Sequence, residues 1–476
     1  MPSMPQTYMI FDPTNPEFAG GAKSDGSADA APALHDALKA AGEAAAVYAF
    51  NSCIVQFPPG RFLFNGANGI SSFLIPPGVT VQGSYQAPID HGKGDGSIND
   101  QNPSDGTVFL IAVNAGNETD TFCQMSSNSS IRGISFQWLN QDPLLNYPFA
   151  IGPPMEVLQA LMTGTIMHGP PSGSGDITAQ VPVSPINDIL IENIELVNAS
   201  LGIDLTGVGR HTVRNVVGQA ITLGLRIDYC LDTGRLEEVH FGISWSGPHS
   251  RFALLMLESS TAFLIRGTDS QMITNCSANG YLLGMRIEKT VIRGGNVPNC
   301  LVQGLQITNC PYGVRIDIGD PFAGHQFTNF SFNRAAPGQS AQPGAAVVIG
   351  ETFDSHVRFS GGVITGSSPA FQIDGTGEVL IADCTLNDTH PDPTVFSVTC
   401  NGGSLTVIRS QFLRTTSHVF LGPGVAKAIL ASNLEPNSAS FAVCNQMSGS
   451  EGVTYVIQTG NNLPPFTISA CPASLG

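Results

Sequence analysis

Short runs of alternating apolar and polar residues, each broken by Gly, Pro or Asn, fill most of this 476-residue chain. "CIVQFPPGRFLF" (53–64) and "FLIPPGVTVQG" (73–83) set the style, and a period of two predicts strands with one apolar face. One stretch departs from it. In "SDGSADAAPALHDALKAAGEAAAV" (24–47), Leu34, Leu38 and Ala41 recur at helical spacing, with Pro32 in an early turn and Asp25 or Ser27 as a cap. This predicts a single helix over 27–47.

The strands repeat. In "NDILIENIEL", "RHTVRNVVG" and "GRLEEVHFG" the residue before the second apolar pair is Asn193, Asn215 and Glu238, at intervals of 22 and 23. A period in the twenties with no helix between strands is the mark of a β-solenoid, in which each coil buries its inward side chains on those above and below. A second pattern reads Gly, apolar, Arg, Ile, acid: "GLRID" (224–228), "GMRIE" (284–288) and "GVRID" (313–317), with "LLMLE" (254–258) matching apart from its Arg. Read as rungs, these align Asp228, Glu258, Glu288 and Asp317 in one outward column. Arg226, Arg286 and Arg315 then share the same face. Aligned on their Arg, "GRLEEVHF", "RGTDSQM" and "RGGNVPN" give a second column of Glu238, Asp269 and Asn296.

Composition narrows the classes of partner. Only 12% of residues are charged, against 42% hydrophobic, and 53 Gly with 33 Pro fit a turn-rich β body. A formal charge of −17 counts against nucleic acid, whose phosphates require clustered Lys and Arg. Ten cysteines lie scattered without a CxxC pair, so buried free thiols are expected. The opening "MPSMPQTYMIF" lacks the pattern of a signal peptide, and no window has membrane-spanning length. The expectation is a soluble protein, either cytoplasmic or secreted with its signal trimmed.

"GGAKSDGSADAAPALHDALKAA", "VQFPPGRFLF" and "LIPPGVTVQGSY" resemble the entry segment of the pectate lyase-like superfamily. The resemblance covers about the first hundred residues and implies an all-β, single-stranded right-handed parallel β-helix with an N-terminal capping α-helix. The expected division is residues 1–50 as entry and cap, 51–440 as β-helix with insertions near 140–185 and 242–252, and 441–476 as a C-terminal cap or tail. The superfamily acts on glycans in several ways, so the resemblance implies a carbohydrate partner without choosing a reaction. The Asn-Thr-Asp, Asp-Asp and Gly-His-Gly motifs of its polygalacturonase group do not occur here.

Two acidic columns suit glycosidic bond cleavage, which uses one protonated and one ionised carboxyl, roughly 5 Å apart for retention and roughly 6.5–9.5 Å for inversion. Adjacent rungs supply the shorter distance, and stacked like charges raise one pKa. The expected catalytic pair therefore lies among Asp228, Glu258, Glu288, Glu238 and Asp269. Arg226, Arg286, Arg315, His240 and Trp245 are the expected sugar-binding residues, for a glycoside hydrolase or an intramolecular transglycosylase that needs no cofactor or metal. The same arginines fit a uronate lyase, the only reading in which calcium enters. A non-catalytic, tailspike-like glycan-binding module is the third reading, and flat solenoid faces admit a homotrimer. Against all three stands a plain structural alternative: Arg beside acid is also the pattern of a salt-bridge ladder, and His240 of a structural histidine. Asp232, in "CLDTGR", reads as a turn residue, and the interruption at 152–185 as a loop over one side.

Overall fold

A computed structural model describes residues 8–47, 53–84, 106–117, 121–139, 141, 149–153, 186–243, 251–292, 296–333, 344–366, 369–387, 394–413, 417–434, 441–447 and 466–469. The alternating runs form parallel strands stacked coil on coil, as expected of a parallel β-helix. The described chain falls into two compact units, Met1–Met256 with Gly267–Asp269 and Thr290–Asn296, and Leu257–Arg266 with Ser270–Lys289 and Val297–Gly476.

In the first unit the strands Ser130–Trp138, Leu190–Thr206, Thr212–Asp228 and Cys230–Gly242 pair in parallel. Two inward columns run through them: Ile131, Ile191, Val213 and Leu236, then Ile134, Ile194, Val216 and Val239, all fully buried. Inward positions are here three residues apart instead of two. The extra residue is a corner, because Asn193, Asn215 and Glu238 take φ of 53°, 49° and 54°. Asparagine tolerates this left-handed region, and its amide can bridge coils. Asn215 Nδ2 donates to Asn193 Oδ1 at 2.6 Å. The residues that mark the period in sequence are thus the residues that turn the chain. Asn215→Ala is expected to cost about 1–2 kcal/mol through backbone strain, and Asn215→Gly less; urea unfolding of both variants checks this, and equal losses would assign the effect to the side-chain bond instead.

Below these coils the core is aromatic. Phe57, Phe62, Phe64 and Phe109 meet at centroid distances of 4.8–6.5 Å, mostly edge to face. Helix α1 (Ala31–Val47) buries Ala31, Leu34, Ala37, Leu38 and Ala41 against the first strands, the place expected of a capping helix. It begins later than its sequence suggests. Asp25–Asp29 is drawn into a strand that pairs with Gly60–Phe64, so the cap is Asp29, whose Oδ1 accepts from Ala31 N at 3.1 Å. Asp25 instead accepts from Ser27 N at 2.9 Å in a local turn.

The second unit repeats the plan. Phe263, Met285, Val314, Val347, Phe371, Val398 and Val419 form one fully buried inward column. Ile265, Ile287, Ile316, Ile349, Ile373, Cys400 and Leu421 form another. Each such side chain contributes about 1.5–3 kcal/mol by leaving water. Its corner is again a column of positive φ, at Asn275, Gly304, Asn329, Gly361, Asp383, Arg409 and Ser432. Coil length from corner to corner varies, from 22 residues between Gly361 and Asp383 to 26 between Asp383 and Arg409 and 32 between Asn329 and Gly361.

Cys53, Cys123, Cys230, Cys276, Cys300, Cys310, Cys384 and Cys400 are buried free thiols, whereas Cys444 is disulfide-bonded. Burial pushes the thiols up, to about 11 for Cys230 and Cys384 and about 12 for Cys310 and Cys400. Among the described residues no helix is long and apolar enough to cross a membrane.

Candidate active site

The first unit carries a polar stripe that is buried although it alternates with the inward column. From Ile194 to Thr206 every residue is buried, so each polar side chain there needs a partner. Glu195 accepts from Ser135 Oγ at 2.6 Å, and Gln141 Nε2 donates to Ser200 Oγ at 2.8 Å. Asp204 is fully buried and accepts from Thr206 N, Thr206 Oγ1, Arg226 Nε and Arg226 Nη2, at 3.0, 2.6, 3.0 and 2.5 Å. The Arg226 guanidinium also lies 4.9 Å from the centre of the Phe149 ring.

Arg226 was expected to share an outward face with Asp228, two residues on. Its bidentate partner is Asp204 on the preceding rung, because strand pairing sets Asp204 against Arg226 and Thr206 against Asp228. Asp228 is itself buried, 1% exposed, and not on an open face. Burial acts to lower the pKa of Arg226, but Asp204, its hydrogen bonds and Asp228 outweigh it and hold the guanidinium charged.

The second expected column divides. Asn296 Nδ2 donates to Asp269 Oδ1, so those two stack as expected. Cys230 N donates to Gly267 O, which sets Asp269 level with the start of the strand Cys230–Gly242. Glu238 lies further along, exposed at the corner. Aligning the three segments on their Arg misplaces it, since Arg266 ends a rung whereas Arg235 starts the next face. His240 is half-buried, in register with Val217, and burial holds its pKa below the usual value against the opposing effect of Glu238. Trp245 and the interruption at 154–185 lie outside the described residues.

In the second unit Glu258 does not stand in the acidic column. Arg251–Ser259 is a helix that buries Phe252, Ala253 and Met256, and Glu258 is on its exposed side. A short apolar run such as "LLMLE" does not distinguish helix from strand by its alternation. The rung before Glu288 is instead Thr261–Ile265, and it carries Arg266.

The resulting ladder alternates in charge: Arg266, Glu288, Arg286, Asp317 and Arg315. Arg266 Nε and Nη2 reach Glu288 Oε1 at 2.8 and 2.6 Å. Arg286 Nε lies 2.7 Å from Glu288 Oε2 and 3.8 Å from Asp317 Oδ2. Arg315 Nε donates to both oxygens of Asp317 at 3.0 Å. Arg286 and Arg315 face each other in register, so Glu288 and Asp317 follow on neighbouring rungs. The acids are 15–16% exposed under arginines that are 41–44% exposed. Asp317 holds Arg315 above its ordinary value. Beyond Asp317 the next coil has Gly350, where any Cβ would collide with the Asp317 carboxylate. The column then continues with Asp374, which accepts from Gln372 Nε2 at 2.8 Å and from Asn401 Nδ2 at 2.7 Å.

The ladder thus brings together Arg286, Glu288 and Arg315 of the expected residues. Sequence reasoning did not find Arg266, Asp374 or Asn401, because none lies in a copy of the five-residue motif. Among the described residues there is no group of three or more His, Cys, Asp or Glu that could hold a metal ion.

The register defines the protein's class as a parallel β-helix. No protein-family profile matches the sequence, and no curated protein matches it either. The solved structures to which the chain is similar match it at low identity. The mannuronan C-5 epimerase A-module of Azotobacter vinelandii is 13% identical with a TM-score of 0.45, over 98% of this chain and 100% of that one. The catalytic unit of a thermostable α-1,3-glucanase from Streptomyces thermodiastaticus is 14% identical with a TM-score of 0.48, over 96% and 69%. A DFA-IIIase from Arthrobacter chlorophenolicus, solved without its lid, is 12% identical with a TM-score of 0.47, over 95% and 99%.

Proposed function

We propose that this protein is a carbohydrate-active enzyme that cleaves glycosidic bonds, with Glu288 and Asp317 as its carboxylate pair. The observation that carries the reading is their placement: two outward carboxylates on adjacent rungs, sharing one guanidinium at 2.7 and 3.8 Å. Rungs stand about 4.8 Å apart, near the roughly 5 Å that retaining chemistry uses. A glycosidic bond held between them is cleaved when one carboxyl gives its proton to the leaving oxygen and the other stabilises the cationic sugar; water then adds to the sugar and returns a proton to the first carboxyl.

The three arginines around these acids favour a second reading, a uronate lyase in which guanidinium groups neutralise the sugar carboxylate. The test is incubation with neutral and uronate polysaccharides while following reducing ends and the ultraviolet absorbance of an unsaturated uronate. Reducing ends without absorbance are expected, reduced about a hundredfold or more in Glu288→Gln and in Asp317→Asn. Absorbance would select the lyase, and full activity in both variants would remove the pair from the reaction.

A further inference from the structure

A depression of about 560 Å³ opens on the first unit, and the residues around it share none with the proposed catalytic pair. Its floor is apolar, Ile189 and Leu190, and its rim carries Arg210, Arg214 and Arg235 with Thr212 and Thr233. The strands fix this set: Leu190, Thr212 and Arg235 stack in register, with Glu192, Arg214 and Glu237 beside them two residues on. Asp188 and Arg210 occupy corner positions with φ of 61° and 47°.

The three arginines differ in what they face. Arg210 is neutralised twice, by Asp188 at 2.7 Å and by Asp232 at 2.9 Å. These bonds, Asp188 first, hold its pKa above the ordinary value, and the same contacts hold Asp188 and, after the Thr233 amide, Asp232 below theirs. Arg214 spends Nε and Nη2 on Glu192 at 2.8 and 2.7 Å. Arg235 is exposed and has no ion pair among the described residues. Beside two arginines whose charge Asp188, Asp232 and Glu192 match, Arg235 is the guanidinium at the mouth of the depression whose donors no carboxylate occupies among the described residues.

We propose that this depression is a binding site for an oxyanion, a carboxylate or sulfate, borne on a hydroxylated ring. The Arg235 fork takes the anion in the two-point geometry that guanidinium offers and ammonium does not. Leu190 lies under the ring. The Thr212 and Thr233 hydroxyls and the outer lone pairs of Asp188 and Asp232 meet its hydroxyls. No bond is made or broken, and the site stands whether or not Glu288 and Asp317 are catalytic.

The test is calorimetric titration of the full chain with glucuronate, glucose and inorganic sulfate. Glucuronate is expected to bind the natural protein and Glu288→Gln equally, and to bind Arg235→Ala about tenfold or more weakly, the loss appropriate to one charge-assisted contact. Arg235→Lys, which keeps the charge and loses the fork, is expected to fall between them, and Thr212→Val to weaken binding without touching charge. Added salt is expected to reduce the affinity for glucuronate. The proposal is overturned by undetectable glucuronate binding, by equal affinity in Arg235→Ala, or by glucose binding as tightly as glucuronate. Sulfate binding as tightly as glucuronate would overturn the ring contacts and leave a bare anion site.

Discussion

Arg226→Ala is expected to destabilise the protein by about 3–5 kcal/mol, the loss typical when one member of a buried ion pair is removed. Asp204 is fully buried, and its two oxygens hold Arg226 Nη2 at 2.5 Å and Nε at 3.0 Å. Without the guanidinium, among the described residues Thr206 alone remains to stabilise the carboxylate, through its amide and hydroxyl. Phe149 loses the cation above its ring as well. Arg226→Lys is expected to recover only part of the loss, since an ammonium cannot make both contacts with one carboxylate in this geometry. Adding Asp204→Asn to Arg226→Ala is expected to restore stability, because it removes the stranded charge. Urea unfolding with an unchanged slope reads each effect. A loss under about 1 kcal/mol for Arg226→Ala would mean that the pair behaves like one at the surface.

The second large effect is on pH dependence and comes from His325. Its ring is buried, its Nε2 lies 2.9 Å from the Ile318 carbonyl oxygen, and it packs near Phe353. Burial pushes its pKa from 6.5 down to about 4, against the opposing effect of the Ile318 hydrogen bond. Between those values the unfolded chain binds a proton at this residue that the folded chain does not. Stability must therefore rise with pH through the window from about 4 to 6.5, by about 3 kcal/mol in all. His325→Gln, which can still donate to Ile318, is expected to lose this part of the pH dependence while keeping the rest. If unfolding midpoints of the two proteins change in parallel between pH 4 and 6.5, the histidine is not responsible.

Much of the architecture is readable from alternation alone, because an inward residue every second position is what a rung requires. The corner is readable too, since Asn193 and Asn215 recur where a left-handed residue is needed. Register is a different matter. Which residue sits above which depends on the loop between them, and a local motif carries no record of loop length. Glu258 was placed beside Glu288 on motif likeness, yet the true neighbour is Arg266, 22 residues before it. The same limit hid the partner of Arg226, which lies in a strand whose own sequence, "LGIDLT", has no Arg. Exposure was harder still. Asp228 alternates with inward residues as an outward acid should, and it is buried all the same.

The corner column has a consequence for how such a chain changes over generations. With successive coils of the second unit returning to a left-handed residue, the inner columns keep step while the excursions between them range from 22 to 32 residues. Insertions and deletions, usually among the harshest of mutations, become nearly silent when they fall in an excursion and ruinous when they fall in a rung. New specificities can then be acquired one coil at a time, by lengthening a single excursion beside a ladder whose geometry is inherited unaltered.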